Sequence, residues 1–161
     1  MDQAEVDAVL ADPRARALLV SPLAARLAYT GLDGTPRVVP VGFLWNGSEI
    51  VVCTAPSAPK VRALRERPAV ALTIDEEDPP QKALLLRGTA AIDVVDGVAE
   101  EYLGAAAKRI AGETLRAFEA EVRPVYKQMA RLRIRPAWAK LLDFDCGPLP
   151  AFLQRLIDER G

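Results

Sequence analysis

The chain has 161 residues, half of them hydrophobic and 27% charged, and its 21 basic and 22 acidic side chains leave a formal net charge of −1; this suits one domain over 1–161 and excludes a global pull toward nucleic acid or acidic membranes. Histidine is absent, so Ser-His-Asp and Cys-His nucleophilic machinery, His-ligated zinc and His-ligated haem are excluded, and enzymatic chemistry would fall to a cofactor. Acidic Asp2, Glu5 and Asp7 stand where a signal peptide needs basic residues, no apolar run approaches a membrane span, and Cys53 and Cys146 make no disulfide framework, so a reduced cytoplasmic protein without nucleic-acid or membrane partners is expected.

Val6, Val9 and Leu10 recur at helical spacing, predicting a short N-terminal helix that Asp12-Pro13 breaks. Between Ala24 and Ala55 the pattern becomes strand, turn, strand, turn, strand: ARLAYT, GLDG, TPRVVPVGFLW, Asn46-Gly47 and SEIVVCTA. Asn-Gly between apolar runs predicts a type I′ hairpin. A helix follows in SAPKVRALRERP, with Ser57 as its cap, Pro59 in its first turn, Arg65 and Arg67 in its last, and Pro68 as its stop.

The run AVALTID reads as a strand, and KALLLRGTAAIDVV alternates, with Gly88 marking a bend or bulge. Helical periodicity returns from Ala99 to Ala130, divided at Gly112 and Pro124. The last strand, RLRIRPAWAKLLDF, sets Arg131, Arg133 and Arg135 on one face, and LPAFLQRLIDER reads as a terminal helix. Six strands with peripheral helices predict a mainly β (α+β) fold, a closed or half-closed antiparallel barrel, with an α+β sandwich as the alternative.

Lys60 is the most informative residue, because a cation in the first helical turn opposes the helix dipole. Together with the Ser57 hydroxyl, free helix amides and Thr54 at the end of the preceding strand, it could meet a phosphate; a solvated surface lysine gives the same local pattern. Pro40 within a strand marks either a protected edge or an opening against which a flat ring could lie. The arginine stripe is either a solvated face or a site for an anionic tail. Asp75, Glu76, Glu77 and Asp78 lack the spacing of a metal loop, so no metal is assigned, and Cys53 reads as a small core residue.

In order, GLDGTPRVVPVGFLW, IVVCTAPSAPKVRALRERPAVALTID, LLLRGTAAIDVVDG and RPAWAKLLDF resemble the pyridoxamine 5′-phosphate oxidase-like split-barrel superfamily, in particular its flavin- and deazaflavin (F420)-dependent branch. The resemblance runs from about Leu18 to Phe144. It implies a six-stranded split barrel and a homodimer with two cofactor sites at its interface. It also implies Lys60 and Thr54 at the cofactor phosphate, backbone near Val39, Pro40 and Val41 beside the ring, and Trp138 and Lys140 in the interface-side wall.

Pro59 replaces the basic residue that pyridoxamine-phosphate oxidases carry before the lysine, and their C-terminal Arg/His motif is missing, which argues against that activity. Haem-degrading relatives rely on a histidine this chain lacks. The expectation is therefore an F420H2-dependent oxidoreductase passing hydride to an unsaturated or conjugated small molecule, with no side chain assigned as acid or base. Arg62 and the arginine stripe are the expected partners of the F420 tail. The alternatives are an FMN-dependent oxidoreductase of the same fold and a non-catalytic carrier or ligand-binding module.

Overall fold

The computed structural model describes residues 1–144 and 147–159; Cys146 lies outside them. Helix α1 (Gln3–Ala11) opens on a reciprocal cap, in which the Glu5 amide donates to Asp2 at 2.9 Å and the Asp2 amide to Glu5 at 2.7 Å. Asp12 then ends α1 and starts α2 (Pro13–Val20), accepting from the Arg14 amide at 2.8 Å with Pro13 in the first turn. The Asp12-Pro13 break is thus a corner between two helices rather than the end of one, because proline fits a first turn as well as it stops a preceding helix.

Seven strands follow in one antiparallel sheet, ordered β2-β1-β5-β6-β7-β4-β3: β1 (Ala25–Thr30), β2 (Pro36–Val41), β3 (Leu44–Trp45), β4 (Ile50–Thr54), β5 (Ala69–Glu76), β6 (Lys82–Asp96) and β7 (Gln128–Asp143). The expected count of six, and a barrel closed by hydrogen bonds, are both corrected. The run TPRVVPVGFLW does not stay one strand: β2 pairs with β1 at one edge, and β3 pairs with β4 at the other. Only Gly42 and Phe43 separate these two edge strands in the chain, so three residue steps, about 10 Å at most, join them. The sheet must curl to bring its edges that close. It remains open because the corner takes Phe43, fully buried, into the interior instead of continuing a ladder.

The inner face is apolar. Leu27, Leu72, Ile74, Leu84, Leu86, Leu132 and Ile134 are at most 2% exposed, and helices close over them with Val6, Leu19, Val61 and Leu64. The β6–β7 register slips between Arg87, opposite Trp138, and Gly88, opposite Pro136, leaving Ala137 as the extra residue of a bulge. A side chain at Gly88 would run into the Arg135 carbonyl. Gly88→Ala should therefore lower stability by about 1–3 kcal/mol, seen as a lower urea midpoint. The bulge also changes which residues face inward: Leu132 and Ile134 before it, Ala139 after it.

Local signals were overridden in two further places. Trp45 and Ile50 pair across a four-residue loop, with the Asn46 side chain accepting from the Ser48 amide at 3.0 Å and the Glu49 amide at 2.8 Å. Gly47 alone in that loop has positive φ, so the type I′ turn does not form. The helical stretch divides into α4 (Glu100–Ala107) and α5 (Gly112–Val122) but stops short of Ala130. Met129 and Ala130 are strand residues opposite Val95 and Val94 and fully buried; ladder pairing outweighs their helical spacing. Helices α3 (Pro59–Glu66) and α6 (Ala151–Asp158) form where expected. No helix among the described residues is long and apolar enough to cross a membrane.

Candidate functional site

Strand β4 leaves the sheet at Thr54, opposite Ala130, and a turn in which the Ala58 amide donates to the Ala55 carbonyl at 3.0 Å delivers the chain into α3. Ala58, not Ser57, occupies the cap position, and no side chain caps the helix. Pro59 brings no N–H, and the Val61 amide is spent on the Ala58 carbonyl at 2.9 Å. The cradle of free helix amides is thus thinner than expected. The Ser57 hydroxyl is exposed instead on the rim of a cleft of about 450 Å3, where Pro59 and Arg62 meet Tyr29 and Arg37 from the β1–β2 hairpin.

Lys60 is half-buried, and burial lowers its ammonium pKa. It makes no hydrogen bond or ion pair among the described residues. Val61 and Leu64, one and four residues after it in the helix, are in the core, which draws the lysine stem inward. A cation partly removed from water without an acceptor is costly, and it suits an anion more than it suits a surface charge. Arg37 is occupied by Asp33 at 2.7 Å, whereas Arg62 makes no ion pair among the described residues. The meeting of Tyr29 and Arg37 with Ser57 follows from β1–β2 pairing, and no sequence pattern announces it.

On β2, Val39, Pro40 and Val41 stand opposite Leu27, Arg26 and Ala25. Pro40 is exposed, and Val41 is 8% exposed. The strand is an edge, as the proline predicted. Gly42, directly after it, shares a second cavity of about 330 Å3 with Cys53, the neighbour of Thr54. The fold therefore brings the Val39–Val41 segment beside the end of β4.

Trp138 and Lys140 are placed elsewhere. Thr54 faces Ala130 on β7, and Trp138 and Lys140 lie eight and ten residues farther along that strand, about 26 and 33 Å at 3.3 Å per residue. The Arg87 guanidinium covers the Trp138 ring at 4.1 Å from its centre. Within one chain these two residues stand well along β7 from Thr54.

The arginine stripe is also largely spoken for, which corrects its reading as a free anion site. Arg131 bonds Asp93 at 2.6 Å and Glu101 at 3.1 Å, and Arg133 bonds Asp93 at 2.9 Å and reaches Glu49 at 3.6 Å. Arg135 lines a separate groove with Asp7, Arg16 and Trp45. Burial would raise the Asp93 carboxyl, but hydrogen bonds from Arg131 and Arg133 outweigh it and hold the group below its usual value. A depressed folded pKa means stability that is present above the unfolded value, about 3.9, and is lost as pH falls through the folded one. Melting temperature should thus fall as pH drops below about 4, and Asp93→Asn should flatten that part of the curve. Cys53 lies under α4, and burial pushes its thiol up to about 12, so it is a protonated packing residue. Among the described residues no cluster of three metal-ligating side chains occurs.

Comparison with known proteins gives the same architecture. The family model described as pyridoxamine 5′-phosphate oxidase matches residues 11–143. Of solved structures, one described as an F420 reductase is 27% identical, with a TM-score of 0.63, covering 78% of this chain and 94% of its own. A conserved hypothetical protein of Mycobacterium tuberculosis is 19% identical, with a TM-score of 0.59, covering 89% and 85%. The haem storage protein HutZ of Vibrio cholerae is also 19% identical, with a TM-score of 0.55, covering 82% and 93%; at that identity the likeness concerns the fold alone. A comparison with curated protein sequences finds no match. With the model spanning α2 through β7, the chain belongs to the pyridoxamine 5′-phosphate oxidase family.

Proposed function

We propose that this protein is an oxidoreductase that holds the deazaflavin F420 and passes hydride to an unsaturated or conjugated small molecule. The observation that carries this reading is Lys60, a half-buried ammonium with no partner among the described residues, in the first turn of α3, the helix that follows Thr54 and Ser57 in the chain. The donors around the β4–α3 connection suit a phosphodiester: the Lys60 ammonium and the Thr54 and Ser57 hydroxyls, with Arg62 on the cleft that Ser57 lines for a charged tail. The 27% identity to a structure described as an F420 reductase supports the same choice. When bound, the deazaflavin supplies the hydride chemistry, and this chain's part is to grip the phosphate, lay the ring against Val39–Val41 and exclude water.

FMN is the second reading, since the Lys60 ammonium with the Ser57 and Thr54 hydroxyls would suit a terminal phosphate as well. A carrier without turnover is the third. Titrating apoprotein with F420 and FMN by fluorescence quenching, then following F420H2 oxidation by absorbance, separates the three. Tighter FMN binding without measurable F420 affinity would reverse the order, and binding without turnover would leave a carrier.

The distance between Trp138 and Thr54 supports a homodimer, because a second copy can bring its own Trp138 and Lys140 to a site that one chain leaves without a second wall. Light scattering at micromolar concentration should give twice the 17.4 kDa chain mass. A monomer that binds cofactor tightly would count against this arrangement.

A further inference from the structure

The link between α4 and α5 carries two adjacent cations, Lys108 and Arg109, and no acid. The Lys108 ammonium is shut off from water and has no hydrogen-bond partner, and no other buried side-chain nitrogen or oxygen among the described residues is in that position. It lies 3.5 Å from the centre of the Phe43 ring, at the corner where the sheet splits. Burial, and then repulsion from Arg109, brings its pKa down to about 8. Arg109 donates through Nε to the Pro22 carbonyl at 2.8 Å and has no carboxylate partner among the described residues. Two cations close enough to repel each other, one of them desolvated, are an unfavourable arrangement without an anion.

Arg109 also lines the 330 Å3 cavity below α4 and α5, which is close to the smaller end of the range of ligand pockets, roughly 300–1,000 Å3. Its other walls are Gly42, Cys53, Ile110 and the rings of Tyr102 and Phe118, stacked with centres 5.8 Å apart. Among the described residues no acidic side chain lines it, and the Cys53 thiol stays protonated. Gly42 adjoins Phe43, so the Lys108 ammonium stands just behind this wall.

The geometry assigns this cavity to a small, partly aromatic anion such as an aryl carboxylate, its ring against Tyr102, Ile110 and Phe118 and its charge met by Arg109, with the Lys108 ammonium adding positive potential from behind the wall. The anion preference stands on these residues alone. The cavity's use as the substrate pocket, next to Val41 and Thr54, rests on the cofactor reading above.

Benzoate and its neutral isostere benzamide test the assignment by calorimetric titration of the full chain, before and after addition of F420. Benzoate should bind at least tenfold more tightly than benzamide. Arg109→Gln loses the cation on the cavity wall and should remove most of the difference; Lys108→Met keeps the stem over Phe43 but loses the charge behind the wall, and should remove a smaller part. Lys108→Met should also hold or raise the melting temperature, since it deletes an unpaired buried charge. Equal affinities for the two probes, no benzoate binding, or a lower melting temperature for Lys108→Met would overturn the assignment, the last by showing the ammonium to be a structural contact with Phe43. The wild-type comparison decides even where a variant fails to fold. Benzoate binding without F420 binding would fail the cofactor reading alone, and the reverse would fail the anion pocket alone.

Discussion

Replacing Lys60 with alanine should weaken cofactor binding at least tenfold while leaving the fold intact. The ammonium is half-buried and has no partner among the described residues, so in the bound protein its contact to phosphate is charge-assisted and worth about 1.5–3 kcal/mol. At 1.4 kcal/mol per factor of ten, that is roughly 10- to 150-fold in Kd. Truncation removes no core atom, because Val61, Ala63 and Leu64 carry the helix's buried face, and relief of an uncompensated desolvated charge offsets the lost stem contacts. Lys60→Arg separates roles: it keeps the charge but changes its shape, and should fall between wild type and alanine. The measurement is fluorescence titration of each variant with F420, alongside its circular dichroism spectrum. Unchanged affinity in Lys60→Ala would return the residue to an ordinary surface charge.

Phe43→Ala should be the most damaging single truncation considered, costing about 3–5 kcal/mol. Phe43 is fully buried at the corner where the chain leaves one sheet edge for the other, and its ring is the face on which the Lys108 ammonium rests. Removing it opens a cavity in the core and strips that ammonium of its aromatic neighbour. Against a typical stability of about 5–15 kcal/mol for a whole domain, such a loss is a large share. At about 2–4 °C per kcal/mol for chains of this size, the melting temperature should fall by roughly 6–20 °C. Phe43→Leu retains most of the volume and should cost less. A melting temperature within a degree of wild type for Phe43→Ala would mean that the corner is not packed as described.

How much was legible from the chain alone depends on the range of the interaction that decides each feature. Strands β1, β5 and β6 were readable because alternation and turn residues act within a few positions, and Gly88 announced its bulge since only glycine tolerates the approach of Arg135. Lys60 stood out because its conflict with the helix dipole is local as well. Local signals therefore establish the class of fold, most of the order of elements, the missing histidine chemistry and one suspicious cation. Only the tertiary structure decided that a single apolar run divides at Gly42-Phe43 to serve both edges of the sheet, and that Met129 and Ala130 join a ladder. It also decided that Arg131 and Arg133 are neutralised by Asp93, Glu101 and Glu49, and that Trp138 and Lys140 lie far along β7 from Thr54. The split depends on how the whole sheet curls, and the others on partners tens of residues away, whose pairing energy outweighs propensities worth a few tenths of a kcal/mol to about 1 kcal/mol per residue.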